Sequence, residues 1–279
     1  MLKSFLRKLV LQMGRSAMTS KAVAELHSNL TSRNELLESL MPRLEANQIT
    51  GDSEAQRFIA FLQENWKFSN SQYRQDLFVL WQLNCKPNGT YLEIGGADGI
   101  THSNSHALRK YFNWSGILVE PDPEQHRACR LHRSPGDTVI PFAIAPDKDT
   151  SRVELIQHGQ LSSITGYHTS DMHKLTREQH RRRGAIRSVQ TIDINNVFKM
   201  FASIDYFSLD VEGAELAILN QIDWSNVTHP TVCTVEANDN SQAAKAITSL
   251  MQSNGYRHVL PDERWITGCD LWFSKAIAP

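Results

Sequence analysis

Apolar residues recur along the first part of the chain with helical spacing. In "MLKSFLRKLVLQMGRS", Leu2, Phe5, Leu6, Leu9, Val10 and Met13 fall at three- and four-residue steps and form one stripe, with Lys3, Arg7, Lys8 and Arg15 mostly on the other side. Ser32 and Glu35 have the spacing of a capping box, and Leu36, Leu37, Leu40 and Leu44 carry a second helical pattern towards Ala46. In "ITGDSEAQ" either Asp52 or Ser53 can cap a third helix, bearing Phe58, Ile59, Phe61 and Leu62, and "QYRQDLFVLWQL" predicts a fourth. Up to Leu83 the expectation is helical.

After "KPNG", a turn signal, the period changes. Short apolar runs now alternate with helical stretches: "TYLEIGG", "SGILVEP", "DTVIPFAIA", "IDYFSLDVEG" and "PTVCTVEAN". Continuous apolar strands separated by helices argue for βαβ units, hence a parallel sheet covered on both faces. The last two runs, "YRHVL" and "DLWFSK", leave no room for a helix between them and predict an antiparallel hairpin at the sheet edge.

Composition narrows the partners. With 41% hydrophobic residues, 21% charged and a formal net charge of -1, nothing global points to nucleic acid, a polyanion or disorder. Cys85, Cys129, Cys233 and Cys269 are widely spaced with no C-x-x-C pair, which disfavours a zinc knuckle or a disulfide framework and fits a reducing, cytoplasmic setting. No stretch approaches the ~20 apolar residues of a spanning helix. The basic amphipathic N-terminal helix could still lie peripherally on the inner membrane face, dock on the protein's own core or make a dimer.

The chemistry gathers around "YLEIGGADGITHSNS", a strand, a glycine-rich turn and the Ser- and Asn-rich start of a helix. Ligands bind at the carboxyl ends of such strands, where glycines let them approach the backbone. The stretch lacks the G-x-G-x-x-G pattern that cradles a pyrophosphate, so a nucleotide-dependent oxidoreductase is disfavoured. Glu120, at the tip of the next strand, is placed to accept hydrogen bonds from both ribose hydroxyls of a nucleoside, with Asp122 near it. His102, just past the glycine loop, is the histidine best placed for general-base work, though a surface role explains it equally well.

These segments, in order from Ser71 to Lys275, resemble the FkbM-type S-adenosylmethionine-dependent methyltransferases, with "IDYFSLDVEGAELAIL" the most family-specific stretch. The resemblance implies an α/β fold of class I methyltransferase (Rossmann-like) type, a seven-stranded mostly parallel sheet with an antiparallel last strand, over residues 71–279, behind an N-terminal helical extension over 1–70. It places Glu93, Gly95, Gly96, Asp98 and Gly99 around the methionine part of S-adenosylmethionine, Asn104 and Ser105 at the adjoining helix start, and Ala143 near the adenine. It also sets Asp210 at the strand tip facing the transferred methyl, with Glu236 and Asn238 beside it. Asp210 could contact the cofactor's amino group, and these oxygens could orient or deprotonate an acceptor hydroxyl directly or hold Mg²⁺. The implied activity is O-methylation of a saccharide or glycosylated natural product, taken up as a small-molecule or glycan acceptor. The alternative is a non-catalytic methyltransferase-fold interaction or membrane-associated module. The basic run "HKLTREQHRRRG" reads as a solvated loop that could also attract an acidic acceptor.

Overall fold

Ser53 starts a helix because its hydroxyl accepts from the N–H of Gln56 at 3.2 Å while the Gln56 side chain accepts from the Ser53 N–H at 3.3 Å, a complete capping box. This helix, α1 (Glu54–Asn65), is the first element of the computed structural model, which describes residues 53–167, 179, 184–238 and 240–275. The helices predicted over 2–13 and 32–46, and most of the basic run from His173, lie outside the described residues. Met1–Gly51 and Asp52–Pro279 are separate compact units, and α1 belongs to the second.

The elements that follow are α2 (Gln75–Gln82), β1 (Thr90–Ile94), α3 (His106–Phe112), β2 (Ser115–Val119), α4 (Pro123–Arg133), β3 (Thr138–Ile140), β4 (Ala143–Ile144), β5 (Arg152–Ile156), β6 (Ser163–Ile164) and β7 (Ile186–Ile192). The chain continues with α5 (Ile194–Phe198), β8 (Tyr206–Leu209), α6 (Glu215–Gln221), β9 (Val232–Glu236), α7 (Ser241–Ser253), β10 (Arg257–Val259), α8 (Arg264–Thr267) and β11 (Asp270–Ser274). The main sheet has seven strands in the order β10-β11-β9-β8-β1-β2-β3. All neighbours are parallel except β11, which runs antiparallel to both β9 and β10. This is the class I methyltransferase sheet.

Two expectations need correcting. The β10–β11 hairpin does form, but β11 lies inside the sheet and only β10 is at the edge, and the four-residue α8 fits between them. Five residues of β11 pair with β9, so the last run is a central strand, consistent with its apolar "LWF". The run "DTVIPFAIA" is likewise two strands in different sheets. β3 ends the main sheet, while β4 pairs in parallel with β7 in a second sheet ordered β4-β7-β5-β6.

Adjacent residues of β11 show how both faces are covered, since side chains alternate along a strand. Phe273 joins the main core with Leu92, Ile94, Val119, Phe207 and Val235 from the strands and Ile194, Ile218, Ile247 and Met251 from helices. Trp272 meets Phe78 of α2 in a stacked pair at 4.5 Å and Phe58 of α1 edge-on at 5.5 Å. The first described helix and the last strand are thereby packed together.

Candidate active site

At the carboxyl ends of β1 and β8 the backbones nearly touch. Gly95 has φ +91°, and a Cβ there would stand 1.8 Å from the Asp210 carbonyl oxygen, so only glycine fits. Its N–H donates to the Val119 carbonyl at 3.0 Å, which fixes the loop over the tip of β2 as well. Asp98 closes the turn, its carboxylate accepting from the N–H groups of Ile100 and Thr101 and from the Thr101 hydroxyl. The helix start is capped by Ser103, whose hydroxyl accepts from the His106 N–H at 3.2 Å; Ser105 makes no cap bond.

Beneath this loop lies a buried polar group centred on Arg133 of α4, which is fully enclosed. Its guanidinium donates to Gly99 O at 2.6 Å and to the Ser105 hydroxyl at 3.1 Å, and lies 3.3 Å from Asp137 and 3.7 Å from Glu93. Glu93 accepts from the Ser103 hydroxyl, the Ser105 hydroxyl and the Asn104 N–H. Asn104 in turn donates to Ser208 on β8 at 2.9 Å. Burial pushes the Glu93 carboxyl up, and Arg133 followed by these donors opposes it.

The cleft itself opens between the tips of β1, β2 and β8 on one side and the second sheet on the other. Gly95, Glu120, Ala143 and Asp210 line it, so four of the expected residues meet there. Glu120 accepts from the N–H groups of Ala97 at 2.8 Å and Asp122 at 2.7 Å, yet burial pushes its carboxyl up to about 8. Ile144, Leu155 and Ile164 give the cleft apolar walls.

The other expected residues surround the cleft without lining it. Glu93, Asn104 and Ser105 belong to the Arg133 group, Gly96 backs onto Leu118, and Gly99 rests on Cys129 and Arg133. Asp122 caps α4 through the N–H groups of Glu124 and Gln125. His102 is exposed, at φ +58°, where its backbone bridges to Ser71.

On the β8–β9–β11 side the carboxyls converge. One oxygen each from Asp210, Glu212 and Glu236 lies within 4.8 Å of the others. Desolvation raises Glu236 well above the usual carboxylate range, and the charges of Asp210, Glu212 and Glu215 add to it. Asp210 is raised too, first by burial, with its hydrogen bond to Glu236 opposing the shift. Asp270, paired in register with Glu236, is pushed up to about 8 by burial and then by Asp210, and accepts from Gln75 at 2.7 Å. Tyr73 lies across Gly268, where a Cβ would come within 2.4 Å of its ring, and its hydroxyl donates to the Cys269 sulfur at 3.9 Å.

Sequence reasoning missed Arg133, Asp270, Tyr73 and the second-sheet wall. A fully enclosed arginine gives no signal in the polar pattern of α4. For the wall there was one: "RVELI" and "SSIT" alternate like strands.

The methyltransferase FkbM domain matches residues 93–258, more than half of the chain, from the strand beneath the glycine loop to β10. No curated protein matches. The chain is similar to solved structures at low identity. The FkbM methyltransferase of Methylobacillus flagellatus KT shares 14% identity, with a TM-score of 0.39 over 78% of this chain and 59% of that one. A precorrin-6y C5,15-methyltransferase from Geobacter metallireducens GS-15 shares 12%, with 0.37 over 65% and 71%. Aeropyrum pernix fibrillarin, in complex with natively bound S-adenosyl-L-methionine, shares 10%, with 0.40 over 76% of each. With the glycine loop, Glu120 and the seven-stranded sheet in place, the chain belongs to the FkbM family of S-adenosylmethionine-dependent methyltransferases.

Proposed function

We propose that the protein methylates a hydroxyl of a saccharide or glycosylated natural product. The observation that carries an oxygen acceptor is Asp210, a carboxyl at the cleft wall able to accept from an incoming O–H, with one oxygen each of Glu212 and Glu236 within 4.8 Å of it. The residues fit the cofactor: an apolar slot beside Glu120 suits a nucleoside, and among the described residues no basic side chain lines the cleft to hold a phosphate. When bound, S-adenosylmethionine supplies a methyl on a sulfonium, itself a good leaving group, so the protein's work is alignment.

Glu120 would receive the ribose hydroxyls, Ile144, Leu155 and Ile164 would shield the base from water, and the close backbone at Gly95 would leave room for the methionine part. Asp210 would orient the acceptor hydroxyl and take up the proton that the acceptor loses as it is methylated. Incubation with a panel of saccharides and methyl-labelled cofactor, with the product's linkage read by NMR, should give label on oxygen. Label on nitrogen or carbon would refute the assignment.

Mg²⁺ is a second reading, favoured by the closeness of Asp210, Glu212 and Glu236. A cation there would lower the pKa of the acceptor hydroxyl. Activity lost in EDTA and restored by Mg²⁺ supports it; activity indifferent to chelation leaves direct proton transfer to Asp210.

Glu120 makes cofactor binding pH-dependent. Its carboxyl titrates near 8 in the free site, while ribose hydroxyls donate to the charged form. Binding therefore expels a proton below that pH, and affinity for S-adenosylhomocysteine should climb from about pH 6 to 8 and level off above. Calorimetry in buffers of different ionisation enthalpy will show the release, and Glu120→Gln should flatten the profile.

A further inference from the structure

One wall of the cleft comes from outside the main sheet and from residues with no assigned role. Between β5 and β6 the chain makes a 3-10 turn, Gly159–Leu161, and Gly159, Gln160 and Ser162 of this turn line the cleft opposite Glu120 and Pro121. Leu155 and Ile164, from the two flanking strands, complete the apolar slot against Ile144. The turn is therefore a flap across the nucleoside end of the cleft, where Glu120 and Ala143 also lie.

Polar side chains hold this flap down. Gln157 donates to the free oxygen of Asp122 at 3.2 Å, and Gln160 donates to the Thr101 carbonyl in the glycine loop at 3.1 Å. The Ser162 hydroxyl has two acceptors within reach, Gly159 O at 2.8 Å and Asp122 Oδ2 at 3.3 Å, and accepts from the His158 N–H at 2.9 Å. A hydroxyl has one proton, so one of those two acceptors is served only by default, and the longer contact is the cheaper to give up. Gln160 stands in solvent, where its single bond is worth little.

We propose that Gln160 and Ser162 are cofactor-binding residues, exchanging these internal hydrogen bonds for the adenosine half of S-adenosylmethionine while Leu155 and Ile164 close over the base. The inference rests on the cofactor reading above. It makes the second sheet part of the binding site, and Asp122 the anchor of the flap: its other oxygen caps α4 and so ties the flap to the strand that carries Glu120.

Calorimetry with S-adenosylhomocysteine on the full chain tests this. Wild-type binding comes first; its absence would overturn the cofactor reading and this inference together. Given binding, Gln160→Ala and Ser162→Ala should each weaken it by about three- to tenfold, the effect of one neutral hydrogen bond, with urea midpoints at the wild-type value. Ser162→Thr, which keeps the hydroxyl, should restore most of the loss. Arg152→Ala, at the far end of the same hairpin where Arg152 bonds Ser188, should bind as wild type. The losses should be equal for 5′-methylthioadenosine, which lacks the amino acid. Wild-type affinity in Gln160→Ala and Ser162→Ala would overturn the assignment, as would an equal loss in Arg152→Ala.

Discussion

Arg133→Met should destabilise the protein by about 3–5 kcal/mol, read as the shift in a urea unfolding curve, because it leaves Glu93 enclosed without its cation and Asp137 with Arg109 alone, at 3.0 Å. Glu93 and Asp137 face the guanidinium at 3.7 and 3.3 Å, and neither can turn to water. The loss has a pH sign. Glu93 is already raised in the native protein, so the fold prefers its protonated form, and removing Arg133 raises it further. Stability tied to that proton is present below about pH 4.5 and lost as pH rises through the folded pKa. The deficit of Arg133→Met should therefore shrink on acidification. Adding Glu93→Gln should recover part of it, since an amide carries no charge to desolvate. A loss under about 1 kcal/mol, or one that is constant with pH, would show that the network is replaceable packing.

Asp210→Asn should lower kcat by about 10²- to 10⁴-fold, the range of a positioned general base. Glu236→Gln should cost much less. An amide at position 236 keeps an N–H that can hydrogen-bond Asp210, whereas an amide at position 210 leaves no carboxylate to take the acceptor's proton. Steady-state kinetics separates the two, with the loss in kcat rather than in the KM for cofactor. Equal losses in both variants would mean that the pair acts as one charged unit, and a tenth or more of wild-type kcat in Asp210→Asn would remove Asp210 as the base.

The main sheet was legible in the sequence because its strands are covered on both faces and so read as unbroken apolar runs. "LEI", "GILV", "YFSL" and "VCTV" each became a parallel strand. The cleft was legible where strand ends decide position: Gly95, Glu120 and Asp210 stand there and line it. The hidden part consists of contacts between residues far apart in the chain. Glu93 and Asp98 have the right type and place for ligand contact, and the structure adds that they also bind the Arg133 group and the turn itself. Nothing local distinguishes a carboxylate that meets a ligand from one that props the loop beneath it. The second-sheet wall escaped notice for a different reason: β5 has one solvent-facing side, so its run alternates and does not read as an unbroken apolar strand.

The placement of β11 bears on how the protein comes into being. Its first residue, Asp270, completes the carboxyl corner beside Glu236, and Trp272 packs on Phe58 and Phe78 from the start of the domain. A chain emerging from the ribosome carries β8, β9 and α6 long before this strand, with a gap in the sheet between β9 and β10 and an aromatic face uncovered. Closing that gap joins residues about 200 positions apart, a slow step for a sheet built on distant pairings. The carboxyl corner and the aromatic face are therefore completed only by the last strand of the sheet to be made.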